Sequence, residues 1–149
     1  MANHVRQQIR ERIATDLTGL TTTGTNVFQS RVYPLESGNL PGLLIYTQQE
    51  TSNPDEMGTN RTLSRELSVK IEAYCQATSN FDDTVDTIIK EVEIALAGDP
   101  TINSLAQDCY IESTDITYDA SGDQPVGYAT ISYYVNYFTK QLTPDTAIP

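Results

Sequence analysis

The side chains able to do chemistry are few in this chain, and their spacing points away from catalysis. His4 is the only histidine among 149 residues. A Cys–His nucleophile pair or an ordinary zinc site needs more partners than one imidazole supplies. Cys75 and Cys109 both fall in predicted strands, Cys75 on an apolar face; two reduced thiols are the default and a disulfide between them is the alternative. Asp82, Asp83 and Asp86 put three carboxylates within reach of a cation. The start of a helix explains them better, because acids there meet the positive end of the helix dipole. Asp115 and Asp119 have the makings of an acid–base pair, but at the end of a strand they read as a solvated edge. The chain contains neither a GxxxxGK[ST] phosphate loop nor a GxGxxG turn. Tyr128, Tyr133, Tyr134 and Tyr137 offer flat faces on which bases stack, yet Lys140 is the one cation near them. Aromatics with few charges suit a sheet core or a protein interface. No enzyme, no cofactor and no metal site is expected.

Charge narrows the class further. Nine basic and 20 acidic residues give a net charge of −11. A nucleic-acid-binding surface needs clustered Lys and Arg. The acids gather in the second half: residues 75–149 hold Lys90 and Lys140 as their bases and most of the carboxylates. This is either a plain solvated surface or a polarised protomer whose acidic side lets a polyanion pass without sticking. Residues 1–20 lack the continuous apolar core of a signal peptide. No apolar run approaches the roughly 20 residues of a membrane span.

The elements that carry these residues follow from hydrophobic period. Val5, Ile9, Ile13 and Leu17 recur every four residues and predict a helix over 4–18, capped by Asn3 and ended by Gly19. Asn26–Tyr33 reads as a strand closed by Pro34, Leu35–Leu40 as a turn-rich link, and Leu43–Thr47 as a short covered strand. Gln48–Asn60 has no period and contains Asn53-Pro54-Asp55 and Gly58, so it reads as a long loop at a hairpin tip. Phe81, Val85, Ile88, Ile89, Val92 and Leu96 predict a second helix over 81–97, with Asn80 as N-cap and Gly98 at C′. Thr101–Leu105 is a turn. Cys109–Asp119 and Val126–Thr139 are the last strands, joined by a turn at Ser121-Gly122-Asp123. In the first of these, the apolar phase is odd at Cys109 and Ile111 but even at Ile116 and Tyr118, which is the signature of a β-bulge. In the second, Ala129, Ile131, Tyr133, Val135 and Tyr137 share one face, and Tyr128, Tyr134 and Phe138 the other. Residues 141–149 read as an irregular tail after a single domain over 1–140. The fold class is α+β: a mostly antiparallel sheet in the order α-β-β-β-α-β-β, with two helices on one face and a long hairpin.

Arg61–Ala77 alternates more regularly than any other segment. Leu63, Leu67, Val69, Ile71, Ala73, Cys75 and Ala77 fill odd positions, and nearly all even positions are polar. Unbroken, this strand reaches about 55 Å. A compact domain of this length is only about 40 Å across. The strand must therefore bend or project, and a projecting apolar face calls for cover from a second copy. Arg6, Arg10, Arg61, Leu63, Arg65, Tyr128 and Tyr134 are the subunit-interface candidates, the arginines as partners for the acidic half of a neighbour.

The ordered set of segments resembles the tail-terminator proteins of long-tailed phages, the minor tail protein U type. An amphipathic first helix is followed by Arg31-Val32-Tyr33-Pro34 and Leu40-Pro41-Gly42-Leu43-Leu44-Ile45-Tyr46. Then come Leu67-Ser68-Val69-Lys70-Ile71-Glu72-Ala73-Tyr74, Asp82-Asp83-Thr84-Val85-Asp86, Glu91-Val92-Glu93-Ile94-Ala95-Leu96 and Asp99-Pro100-Thr101. The last strand opens Pro125-Val126-Gly127-Tyr128-Ala129. The resemblance spans nearly the whole chain and implies a structural virion protein. Such proteins form a hexameric ring on the head-proximal end of the tail tube, stop its polymerisation and present a surface to the head–tail connector. The implied partners are further copies of this chain, the tube protein and the connector protein, with DNA sliding through the lumen unbound and no membrane involved. The competing readings are another connector or neck protein, and a small non-viral adaptor module.

Overall fold

The computed structural model describes residues 2–29, 41–76, 80–119 and 126–148. Helix α1 (Val5–Leu17) is followed by strands β1 (Val27–Phe28), β2 (Gly42–Pro54) and β3 (Thr62–Gln76). Then come helix α2 (Phe81–Ala97) and strands β4 (Asp108–Asp119), β5 (Val126–Lys140) and β6 (Thr143–Ile148). The strands form one sheet in the order β1-β2-β3-β5-β4, with β6 also paired to β5. Its pairings are antiparallel except β1 with β2. Among the described residues the fold is mixed α and β, with two helices and a six-stranded sheet.

The predicted apolar stripes are the ones that pack. Val5, Ile9, Ile13 and Leu17 of α1 and Phe81, Val85, Ile88, Ile89, Val92 and Leu96 of α2 are all buried. They share one core with Leu67, Val69, Ile71, Ala73 and Cys75 of β3 and with the odd residues 129–137 of β5. Both helices therefore cover the same sheet face. The anticipated bulge in β4 is present, as a register shift between Ile111 and Ser113. It transfers the helix-side phase from Ile111 to Thr114 and Ile116.

Several details differ from the sequence-based expectation. The cap of α1 is His4, whose Nδ1 accepts from the Arg6 N–H at 3.0 Å; Asn3 lies one residue outside. Burial, with Arg6 and Arg65 nearby, lowers the His4 pKa, which suits an imidazole that must keep a free lone pair. Asn80 does occupy the N-cap of α2, but without the expected side-chain capping bond. Gly98 ends α2 in a right-handed conformation, and the left-handed turn comes later, at Ile102, Asn103 and Ser104. The expected strand over 26–33 is described only as Val27–Phe28, and the link 35–40 and the turn 121–123 lie outside the described residues.

The largest corrections concern β2 and the C-terminus. Gln48–Pro54 is strand, not loop: β2 continues to pair with β3 as far as Pro54 with Leu63, after a bulge between Thr47 and Gln49. The tip is only 55–61. The segment read as an irregular tail supplies β6, which pairs with β5 at Phe138–Lys140, just beyond the stretch that β4 occupies. Both changes overturn the length argument. The 15 residues of β3 do span roughly 50 Å. They are flanked throughout by β2 and β5, and Leu67–Cys75 bury their apolar side chains within the same chain. Strand length by itself does not call for a second copy.

One contact tests the packing of α2 on the sheet. A Cβ built on Gly127 would stand 2.1 Å from Cε2 of Phe81, the first residue of α2. Gly127 is thus the slot that receives the Phe81 ring. Gly127→Ala is expected to cost about 1–3 kcal/mol, read from urea midpoints, because both the strand and the helix start resist displacement. Phe81→Leu in the same chain should recover part of that loss.

Candidate assembly surfaces

Among the described residues no group of three His, Cys, Asp or Glu side chains is placed to hold a metal ion. Asp82, Asp83 and Asp86 point into solvent from the start of α2, and Asp115 is exposed on β4. Cys75 and Cys109 are free thiols whose pKa values burial pushes up to about 11 and about 12. No helix among these residues is long and apolar enough to cross a membrane.

The seven interface candidates separate into two groups. Arg65 lies inside the protein. Its odd position places it on the helix-side face of β3, between Leu63 and Leu67, opposite Tyr137. Its Nη1 stands 3.1 Å from Oε2 of Glu50, and its Nε donates to Oγ1 of the buried Thr139 at 3.0 Å. Arg6, at the start of α1, reaches the same Glu50 oxygen at 2.8 Å. The Tyr137 hydroxyl donates to the other carboxylate oxygen. Burial and this bond raise the Tyr137 pKa, so the phenol keeps its proton. One carboxylate thus ties α1, β2, β3 and β5 together. Two guanidiniums and a phenol converge on it, which makes it a fastening between four elements. Glu50 escaped the sequence reading because it sat in a presumed loop. The odd parity of Arg65 within an otherwise apolar stripe was the available signal.

The other candidates stay at the surface. Arg10 donates to the Gln29 side chain at 3.3 Å, and Arg61 to the Gly58 carbonyl at 3.0 Å. Neither has a carboxylate partner among the described residues. Leu63 is half-buried near the tip end of β3. Tyr128 and Tyr134 lie on the helix-free face, Tyr128 stacked on Tyr74 with ring centroids 5.1 Å apart and Tyr134 against Tyr110 at 4.9 Å.

A second ionic cluster joins the ends of the two helices. Arg12 Nε stands 3.3 Å from Asp16 Oδ1 and 3.1 Å from Asp99 Oδ2. The Asp99 Oδ1 accepts from the Asn103 N–H in the left-handed turn. Burial, with Asp99 beside it, raises the Asp16 pKa to about 6, whereas the bond to Asp16 holds Asp99 below its usual range. Between about pH 4 and 6 the folded chain therefore binds a proton at Asp16 that the unfolded chain has released. That contribution to stability is complete below the unfolded pKa and is lost as pH rises through about 6. Asp16→Asn should flatten this part of the pH–stability curve and stabilise the protein by about 1 kcal/mol at pH 7.5. A variant curve parallel to wild type would show that Asp16 titrates normally.

Comparison with known proteins places this arrangement. The family model described as "Phage minor tail protein U" matches residues 4–137. Nothing among curated protein sequences matches the chain. Among solved structures, a chain from the "Virion of native gene transfer agent (GTA) particle" is similar at 14% identity and a TM-score of 0.37, over 89% of this chain and 92% of that one. The family match runs from the start of α1 almost to the end of β5, through every element that builds the core. The chain belongs to the phage minor tail protein U family.

Proposed function

We propose that this chain forms a ring, hexameric as the family resemblance implies, at the head-proximal end of a phage tail tube. There it stops tube polymerisation and presents the surface to which the head connector attaches. The family match over residues 4–137 carries this reading. The role is assembly rather than catalysis, and its place is the virion.

The distribution of charge supports it. Exposed acids stand on α2 (Asp82, Asp83, Asp86, Glu93) and β4 (Asp108, Glu112, Asp115). An acidic inner wall repels phosphates and lets DNA slide. A ring joins two different patches of each protomer in head-to-tail contacts. Arg10, Arg61, Leu63, Tyr128 and Tyr134 remain available for such contacts, while Arg6 and Arg65 are engaged by Glu50. The test is light scattering of the purified protein, alone and with tail tubes of the same phage, followed by electron microscopy of the tubes. A discrete oligomer, formed alone or on contact with tubes, and tubes capped at one end are expected. A chain that stays monomeric at high concentration with tubes present overturns the reading.

A further inference from the structure

The turn between α2 and β4 is built in a conformation that L-residues rarely adopt. Ile102, Asn103 and Ser104 all have positive φ, at 48°, 55° and 65°. Left-handed backbone is uncommon for any residue but glycine, and least tolerated by a β-branched one such as Ile102. Such a segment persists only where its surroundings hold it. Two features hold this one. The Ile102 side chain is fully buried in the shared core. Asp99 fastens the backbone: its carbonyl accepts from the Ile102 N–H at 3.1 Å, and its Oδ1 from the Asn103 N–H at 2.9 Å.

Asp99 is itself held from α1, by the cluster with Arg12 and Asp16. One guanidinium there faces two carboxyls. Oδ2 of Asp16 is buried, and no donor among the described residues reaches it. With Asp16 ionised, that oxygen is unsolvated and two like charges share one cation. A proton on Asp16 removes the second charge and supplies a hydrogen bond to Asp99. The other ionisable groups nearby leave this balance alone. Cys109 faces Asp99 from β4 as a neutral thiol, with Asp108 exposed beside it. Glu91 of α2 is turned to the N–H and hydroxyl of Thr22.

We infer that this cluster is a proton-operated latch on the turn 99–106, closed when Asp16 and Asp99 share a proton and loosened when both are ionised. The loosened turn gives up its left-handed backbone. With it go the bonds of the Ile102, Asn103, Leu105 and Ala106 N–H groups, which reach Asp99, Ile102 and Thr101. The Gln107 N–H then leads into β4 through its bond to the Asn136 carbonyl, so the change reaches the edge of the sheet. The latch belongs to the single chain and does not depend on the ring.

Amide hydrogen exchange followed by NMR tests it, on wild type and on Asp16→Asn. At pH 5 and at pH 7.5 the four turn amides should exchange sooner than a core amide such as Val69, the mark of a local opening. Their protection, corrected for intrinsic exchange, should be about tenfold lower at pH 7.5 than at pH 5. The sign follows from Asp16, which keeps its proton to about pH 6 in the closed turn and only to the ordinary carboxylate range in the open one. Asp16→Asn keeps a side-chain donor toward Asp99 at every pH, so its turn should be protected equally at both. Equal protection of the wild-type turn at the two pH values overturns the latch. So does a wild-type slope in Asp16→Asn, or turn amides that exchange only together with Val69.

Discussion

Glu50→Ala should destabilise this protein by about 3–5 kcal/mol, the range seen when one partner of a buried ion cluster is removed. The effect comes from what the substitution leaves behind. Arg65 keeps its charge in a site where its side chain is only 10% exposed, and the Tyr137 hydroxyl loses its acceptor. Arg6 suffers less, since its side chain is 40% exposed and water can replace the carboxylate. For a chain of this length such a loss lowers the melting temperature by about 10 °C. The partners make the experiment more discriminating. Arg65→Met removes the stranded cation and leaves an apolar stem beside Leu63 and Leu67. Glu50→Ala with Arg65→Met should therefore cost less than Glu50→Ala alone, by about 2 kcal/mol in a double-mutant cycle. Additive costs, or a Glu50→Ala effect under about 1 kcal/mol, would mean that solvent reaches the cluster and screens it.

That cluster also shows where the sequence stopped being readable. The helices, β3, β5 and the β4 bulge were legible because one side of each is apolar over most of its length. Val85, Ile88, Ile89 and Val92 fit one helix face and no strand, and the switch from Ile111 to Ile116 admits few explanations besides an extra residue. The second half of β2 has no such contrast. Gln48, Gln49, Thr51, Ser52 and Asn53 are polar on both faces, and all five are exposed. The one residue there that points into a buried site is Glu50, which is itself charged. Hydrophobic period cannot detect a buried carboxylate. The same blindness hid β6, whose Thr143-Pro144-Asp145-Thr146 reads as a tail. Its attachment is largely by hydrogen bonds: its backbone pairs with β5, and the Gln8 side chain donates to the Asp145 carbonyl at 3.0 Å, with Ala147 as its contact to the core. Missing both segments made β3 look uncovered. The interface candidates inherited that error in part. Arg65 stands inside, as its odd parity on β3 implies, whereas Arg10 and Arg61 stay at the surface with no carboxylate partner among the described residues.

The second large effect is expected at Val69. It is fully buried, paired across the sheet with Thr47 and Tyr133, and part of the core that both helices share. Val69→Asp places a carboxylate where no described cation stands. The group must either stay ionised without a partner or take up a proton, and both routes cost several kcal/mol. Total stabilities of about 5–15 kcal/mol leave little margin for that, so the variant should be recovered unfolded or aggregated at 37 °C. Val69→Thr separates shape from polarity: it keeps the outline, buries one hydroxyl and should cost about 1–3 kcal/mol. Leu63→Asp completes the comparison. Leu63 occupies the same strand and the same parity, but it is half-buried near the wet end, opposite Pro54 and Thr139. Its loss should be about 1 kcal/mol, with a folded, cooperative melt retained. The contrast between two identical substitutions six positions apart on β3 measures where the dry core ends and the surface available to other chains begins. Equal damage at both sites would place that boundary beyond Leu63, with the tip end of the sheet as well packed as its centre.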